Sequence, residues 1–311
     1  MKVRQLKFAA CLLFLLLPTV NIAQSTDDDA ASYSRKGADT CLSCHEDSRT
    51  LAIFSTRHAV PSDARSPFGH GQLQCEACHG PGDAHSGRVR RGEERPPVIS
   101  FGAEDTTPVE TRNSMCIDCH RGDVGIGWHS GPHASDEVAC ADCHQSHARI
   151  DAVSQVSTQA GVCADCHQLQ RNEMLKAFTH PLFEEKMDCT SCHGMHDDLV
   201  ATELARAALN DTCFQCHADK RGPFLWEHAP ASEDCGLCHA PHGSNHPGML
   251  TQRAPLLCQA CHSQAGHPAV AYESDGLATN VPSQFLLGQG CMNCHSQVHG
   301  SNHPSGSKLM R

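Results

Sequence analysis

The chain has 311 residues, with 24 lysines and arginines against 35 acidic residues, a net charge of −11, and only two tryptophans and two tyrosines. An acidic balance of that size argues against nucleic acid, whose binding depends on basic side chains neutralising phosphates. The 21 cysteines and 24 histidines point instead to metal, disulfide or cofactor chemistry.

Residues 1–23 have the form of a secretory signal peptide. Lys2, Arg4 and Lys7 provide the basic start, the run from Phe8 to Leu17 the apolar centre, and Ala23 a cleavage-compatible end. The apolar run is short of the roughly 20 residues a membrane-spanning helix needs. Cys11 lies near the start of that run, whereas lipidation needs a cysteine at its end, so it reads as an ordinary leader residue. No later segment approaches membrane-spanning length. The expected mature chain is 24–311, located in the periplasm.

From residue 41 onward the pentapeptide C-x-x-C-H recurs ten times. The motifs are Cys41-Cys44-His45, Cys75-Cys78-His79, Cys116-Cys119-His120, Cys140-Cys143-His144 and Cys163-Cys166-His167, then Cys189-Cys192-His193, Cys213-Cys216-His217, Cys235-Cys238-His239, Cys258-Cys261-His262 and Cys291-Cys294-His295. This pattern is the attachment site for a c-type haem: the two thiols bond to the porphyrin vinyls, and the adjacent imidazole lies under the iron. Zinc also uses C-x-x-C pairs, and an even cysteine count in a secreted chain can mean disulfides. Neither requires a histidine after every pair, so the repetition favours ten covalent haem c groups.

Fourteen histidines remain, and their spacing repeats. Thirteen residues after the first, third and fifth proximal histidines stand His58, His133 and His180, and eleven after the seventh stands His228. Shortly after the second motif of each consecutive pair come His85, His147, His196, His242 and His299. His267, five residues after His262, completes a set of ten distal candidates. The leftovers are His70, His129, His246 and His303; the spacing prefers His133 to His129 and does not separate His299 from His303. The chain therefore reads as five di-haem modules, about 39–113, 114–160, 161–210, 211–255 and 256–311. Three residues span at most roughly 10 Å, so His144 with His147, or His193 with His196, are poorly placed to clasp one iron from opposite faces. The second histidine is expected to serve a neighbouring haem.

Composition sets the fold class. With 24 glycines, 17 prolines and few aromatics, porphyrins would have to supply much of the apolar burial. The expectation is a multihaem cytochrome of short α-helices and irregular loops with little or no sheet, elongated, with haems forming much of its core. Amphipathic helices are expected at Val200–Leu209 and Arg171–Phe178. The motif-free segment 86–113, with charges of both signs, reads as a surface excursion.

An iron with two histidines has no open position, so catalysis at haem is disfavoured and electron transfer is the expected role, without catalytic residues. The stretches Asn210-Asp211-Thr212-Cys213-Phe214-Gln215-Cys216-His217, Arg221-Gly222-Pro223-Phe224-Leu225-Trp226-Glu227-His228, Arg253-Ala254-Pro255-Leu256-Leu257-Cys258 and His299-Gly300-Ser301-Asn302-His303-Pro304-Ser305-Gly306 carry a family resemblance. Over about residues 39–311 the chain resembles the periplasmic decahaem cytochromes of outer-membrane porin–cytochrome conduits in metal-reducing bacteria, and their relatives in dimethyl sulfoxide respiration and iron oxidation. The resemblance implies a haem wire inserted from the periplasm into an outer-membrane β-barrel porin. A periplasmic or inner-membrane cytochrome would sit on one side and an extracellular multihaem cytochrome or reductase on the other. Alternatives are a soluble periplasmic carrier supplying a terminal reductase and, less in keeping with ten uniform motifs, a multihaem oxidoreductase.

Overall fold

The computed structural model describes residues 32–102, 106–196, 204–262 and 290–310. The leader and His267 lie outside them, as do residues 200–203 of the helix expected at Val200–Leu209.

The recurring unit is one helical turn. In nine of the ten motifs the histidine backbone N–H donates to the carbonyl of the first cysteine, four residues back, at 2.8–3.0 Å; in the remaining motif, Cys116–His120 closes a continuous helix. A turn of this kind puts residues three and four apart on one face. Both sulfurs and the imidazole of a motif are thus brought to one side of the chain.

Around these turns the helices are short. The longest run over Val109–His120, Val156–Cys166 and Leu204–Phe214, and each carries an odd-numbered motif at its C-terminal end. Prolines in the first turn start Pro132–Ser135, Ala229–Glu233, Pro247–Met249 and Ala254–Gln259, where a missing N–H costs nothing. The helices Val109–His120, Val156–Cys166, Leu204–Phe214 and Ala254–Gln259 run through the boundaries drawn at 113/114, 160/161, 210/211 and 255/256. The residues leading into each odd motif are helical because they continue its turn.

Among the described residues there is no sheet, only isolated bridges pairing Phe178 with Ser244, Trp226 with Ser301 and His239 with Leu250. The helix expected over Arg171–Phe178 instead spans Gln168–Met174. Phe178 is extended because its N–H and carbonyl both pair with Ser244. Part of the excursion expected over 86–113 is likewise helix, since Val109–His120 begins inside it.

The buried apolar side chains among the described residues are Ala38, Ile53, Ala139, Ala160, Ala164 and Met174. Large ones such as Leu169, Leu175, Leu225 and Leu256 are at least 60 % exposed. Side chains alone therefore bury too little apolar surface to hold a chain of this length. That distribution fits a protein whose apolar cofactors complete its core.

Candidate haem-binding centres

None of the twenty motif cysteines is joined to another by a disulfide. Among the described residues no three of His, Cys, Asp and Glu converge as a metal cluster would require.

First cysteines lie beside one another in pairs: Cys41 with Cys75, Cys116 with Cys140, Cys163 with Cys189, Cys213 with Cys235, and Cys258 with Cys291. In a haem-bound chain these sulfurs would be thioethers, so the property that carries over is proximity. Each pair joins the two motifs of one module. Second cysteines approach across the module boundaries, Cys78 near Cys119, Cys143 near Cys166, Cys192 near Cys216 and Cys238 near Cys261.

Side-chain amides hold three of the within-module pairs of first cysteines. Asn113 and Asn210, each three residues before an odd motif, accept the backbone N–H of Cys140 and Cys235, both at 2.8 Å. Their amide groups donate back to Val138 and Ser232 carbonyls. Gln159 accepts the N–H of Thr190, beside Cys189. Nothing in the motif pattern identifies these amides; only their position ahead of an odd motif could have drawn attention to them.

Among the described residues the histidines form nine facing pairs. His45 faces His85, His79 faces His147, His120 faces His58, His144 faces His196 and His167 faces His133. His193 faces His242, His217 faces His180, His239 faces His299 and His262 faces His228. Ring centres are 5.9–6.4 Å apart in every pair. Two imidazoles bound to opposite sides of one metal through bonds of about 2.0 Å put their ring centres roughly 6 Å apart. The residues present therefore fit an iron held between them. Each pair joins one motif histidine to one of the spaced histidines, and only His45 with His85 stays within a module.

His133, not His129, faces a motif histidine, and so does His299, whereas the Nδ1 of His303 is engaged by the Ser305 hydroxyl and backbone N–H. His295 hydrogen-bonds the Lys308 carbonyl through Nδ1.

Tautomers follow from the Nδ1 partners. Carbonyls of Ile99, Pro96, Arg49, Pro241, Val298 and Gly248 accept from His79, His85, His147, His180, His228 and His239. A carbonyl can only accept, so Nδ1 carries the proton and Nε2 keeps the lone pair a metal needs. Carboxylates fill this place for His120 (Asp123, 2.8 Å), His144 (Asp151, 2.6 Å) and His242 (Glu173, 3.3 Å). Burial also lowers the pKa of His58, His79, His193 and His299, keeping them in the neutral form that ligates. Burial disfavours the Asp151 anion, yet hydrogen bonds from His144, Gln145 and Ser154 outweigh it and hold its carboxyl below the usual range.

The supposed surface excursion takes part in this arrangement. Ile99 and Pro96 accept from His79 and His85, Phe101 lies edge-on to His79, and Arg95 donates to the carbonyls of His85 and Gly87. The twice-used His-Gly-Ser-Asn segment is a clamp. Ser244 pairs with Phe178 and Ser301 with Trp226 through two backbone bonds each, and Asn245 and Asn302 accept from Ala177 and Leu225. The residue before each segment, Pro241 or Val298, then accepts from His180 or His228. Gly243 (φ 141°) and Gly300 (φ 133°) make the close approach possible, since a methyl group would overlap the Glu173 carbonyl or the Phe224 ring.

Among the described residues no helix is long and apolar enough to cross a membrane. A doubled CXXCH motif family matches residues 180–222 and 228–267, and a cytochrome c-type, NrfB-like family matches residues 75–160. The chain is 46 % identical over 283 residues, 90 % of its length and 83 % of the relative's, to the multiheme cytochrome MtrA of Shewanella baltica. It is 25 % identical to a high-molecular-weight cytochrome c of Nitratidesulfovibrio vulgaris, over 76 % of this chain and 48 % of that one.

Proposed function

From the premise that this chain belongs to the family of the multiheme cytochrome MtrA, and is a c-type electron-transfer protein rather than an enzyme, we propose that it carries ten haems in one continuous wire. Each iron is held by two histidines. Haem iron supplies one-electron chemistry by cycling between its ferric and ferrous states.

The chain's own residues do the rest. Motif cysteines anchor the groups, paired first cysteines set two attachments side by side within a module, and second cysteines continue the series between modules. Distal histidines reach across: His147, His196, His242 and His299 serve the preceding module, while His58, His133, His180 and His228 serve the following one. His267 is left for His295. Two nitrogens on every iron leave no position for substrate, which suits conduction and not turnover.

The observation that carries this reading is the set of nine ring pairs at 5.9–6.4 Å, eight of which cross a module boundary. Ligands shared in this way make the series continuous, as a conduit requires.

The proposed setting is the periplasmic face of the outer membrane. The chain would be sleeved by a β-barrel porin, because a closed barrel leaves no unpaired backbone in lipid. A periplasmic or inner-membrane cytochrome would exchange electrons at one end and an extracellular multihaem cytochrome or reductase at the other. The test is reconstitution with the candidate barrel in liposomes enclosing a redox dye. An external donor should reduce the dye only when both proteins are present. An intact complex that leaves the dye oxidised would contradict the conduit.

A further inference from the structure

Among the described residues His120, His144 and His242 donate Nδ1–H to a carboxylate instead of a carbonyl, and these carboxylates are not equivalent. Asp123 is 73 % exposed beside His120, where solvent screens its charge. Glu173 lies 3.3 Å from His242 but is shared with the Lys176 ammonium at 3.5 Å. Asp151 is 24 % exposed and sits 2.6 Å from His144 Nδ1, and among the described residues no lysine or arginine pairs with it. The Gln145 backbone N–H holds its Oδ1, and the Ser154 hydroxyl donates at 3.2 Å to Oδ2, the oxygen facing His144.

We propose that Asp151 is a positioning residue that lowers the reduction potential of the centre between His144 and His196, relative to centres whose histidines donate only to carbonyls. A carboxylate accepting from Nδ1 draws the proton away from the ring and makes Nε2 a stronger donor to iron. A richer ligand, with a fixed negative charge behind it, favours the ferric over the ferrous state. The couple is the addition of one electron from an external reductant or electrode, with no bond made or broken. The inference rests on the two-histidine reading above.

Asp151→Asn keeps the shape and removes the charge. Ser154→Ala keeps the charge and frees Oδ2 to serve His144 alone. Potentiometric titration of the full ten-haem protein, followed by ferric low-spin EPR, should show one component in ten moving positive in Asp151→Asn. The expected size is about a tenfold change in that centre's oxidised-to-reduced ratio at fixed ambient potential, or about 59 mV for one electron. The same component should move negative in Ser154→Ala. A fully loaded, low-spin Asp151→Asn protein with all ten components unmoved, or moved negative, would overturn the proposal. If Asp151→Asn fails to load haem, an unshifted Ser154→Ala titration overturns it. A high-spin iron between His144 and His196 in the unmodified protein would instead overturn the ligand reading beneath it.

Discussion

The imidazole of His193 faces that of His242 with ring centres 6.0 Å apart and planes 22° from parallel. His196, only three residues from His193 along the chain, faces His144 instead. Three residues cannot place two rings on opposite sides of a single metal, so His196 is handed back to His144 of the preceding module and His193 is met by His242 of the following one. The protein is stitched by exchange between modules.

If that exchange sets ligation, His242→Ala should leave the iron attached at Cys189–Cys192 five-coordinate and leave the iron at Cys235–Cys238 untouched. EPR should show a high-spin ferric signal at one haem per chain. Removing the sixth attachment as well, by Cys189→Ala with Cys192→Ala, should abolish that signal. A signal that persists would assign His242 to its own motif.

The amide junctions should matter to stability out of proportion to their size. Asn210 is 7 % exposed, accepts from Cys235 N–H and donates to the Ser232 carbonyl. Asn210→Ala leaves both groups unpaired, at about 1–3 kcal/mol for each that stays buried. The denaturant midpoint of the haem-loaded protein should fall, with the m-value unchanged. An unchanged midpoint would mean water replaces the amide.

Two glycines separate strain from contact. Gly300 (φ +133°) packs on the Phe224 ring, whereas Gly248 (φ +70°) has nothing within 4 Å of an added methyl. Gly248→Ala should cost only the backbone strain, about 1 kcal/mol. Gly300→Ala adds a clash with Phe224 beside the Ser301–Trp226 bridge and should cost several times more. Thermal melts of the two variants check the ranking, and equal losses would contradict it.

Asp188 accepts from Ser191 N–H at 2.9 Å and caps the turn that starts at Cys189. Burial opposes its charge, but hydrogen bonds from Ser191 and Thr190 prevail and leave its pKa below the ordinary 3.8. A lowered folded value means the stabilisation is complete above about pH 4 and fades as pH falls through the folded pKa. Asp188→Ala should therefore be less stable than the parent at neutral pH, by about 1 kcal/mol for a lost cap, and the gap should close on acidification. Melts across that range measure it.

Much of the candidate site was legible because covalent attachment leaves a rigid pattern in sequence. Cys189-Thr190-Ser191-Cys192-His193 can be read without a structure, and the thirteen-residue spacing that picks His133 over His129 repeats. Which ring His147 would face was not legible, since this depends on where the chain returns in space. The fold class followed from composition, but helix ends did not. Phe178 has a helical neighbourhood in sequence, yet it gives up that helix for two backbone bonds to a serine 66 positions away. Segment 86–113 looked idle because it has no motif and mixed charge, although its contribution, through Ile99 and Pro96, is made by backbone carbonyls that carry no side-chain signature.

The central claim is that every iron sits between two histidines. The ferric EPR spectrum of the unmodified haem-loaded protein, integrated against total haem, tests it most directly. The account predicts low-spin signals that sum to all ten haems. A high-spin signal amounting to one full haem per chain would contradict it.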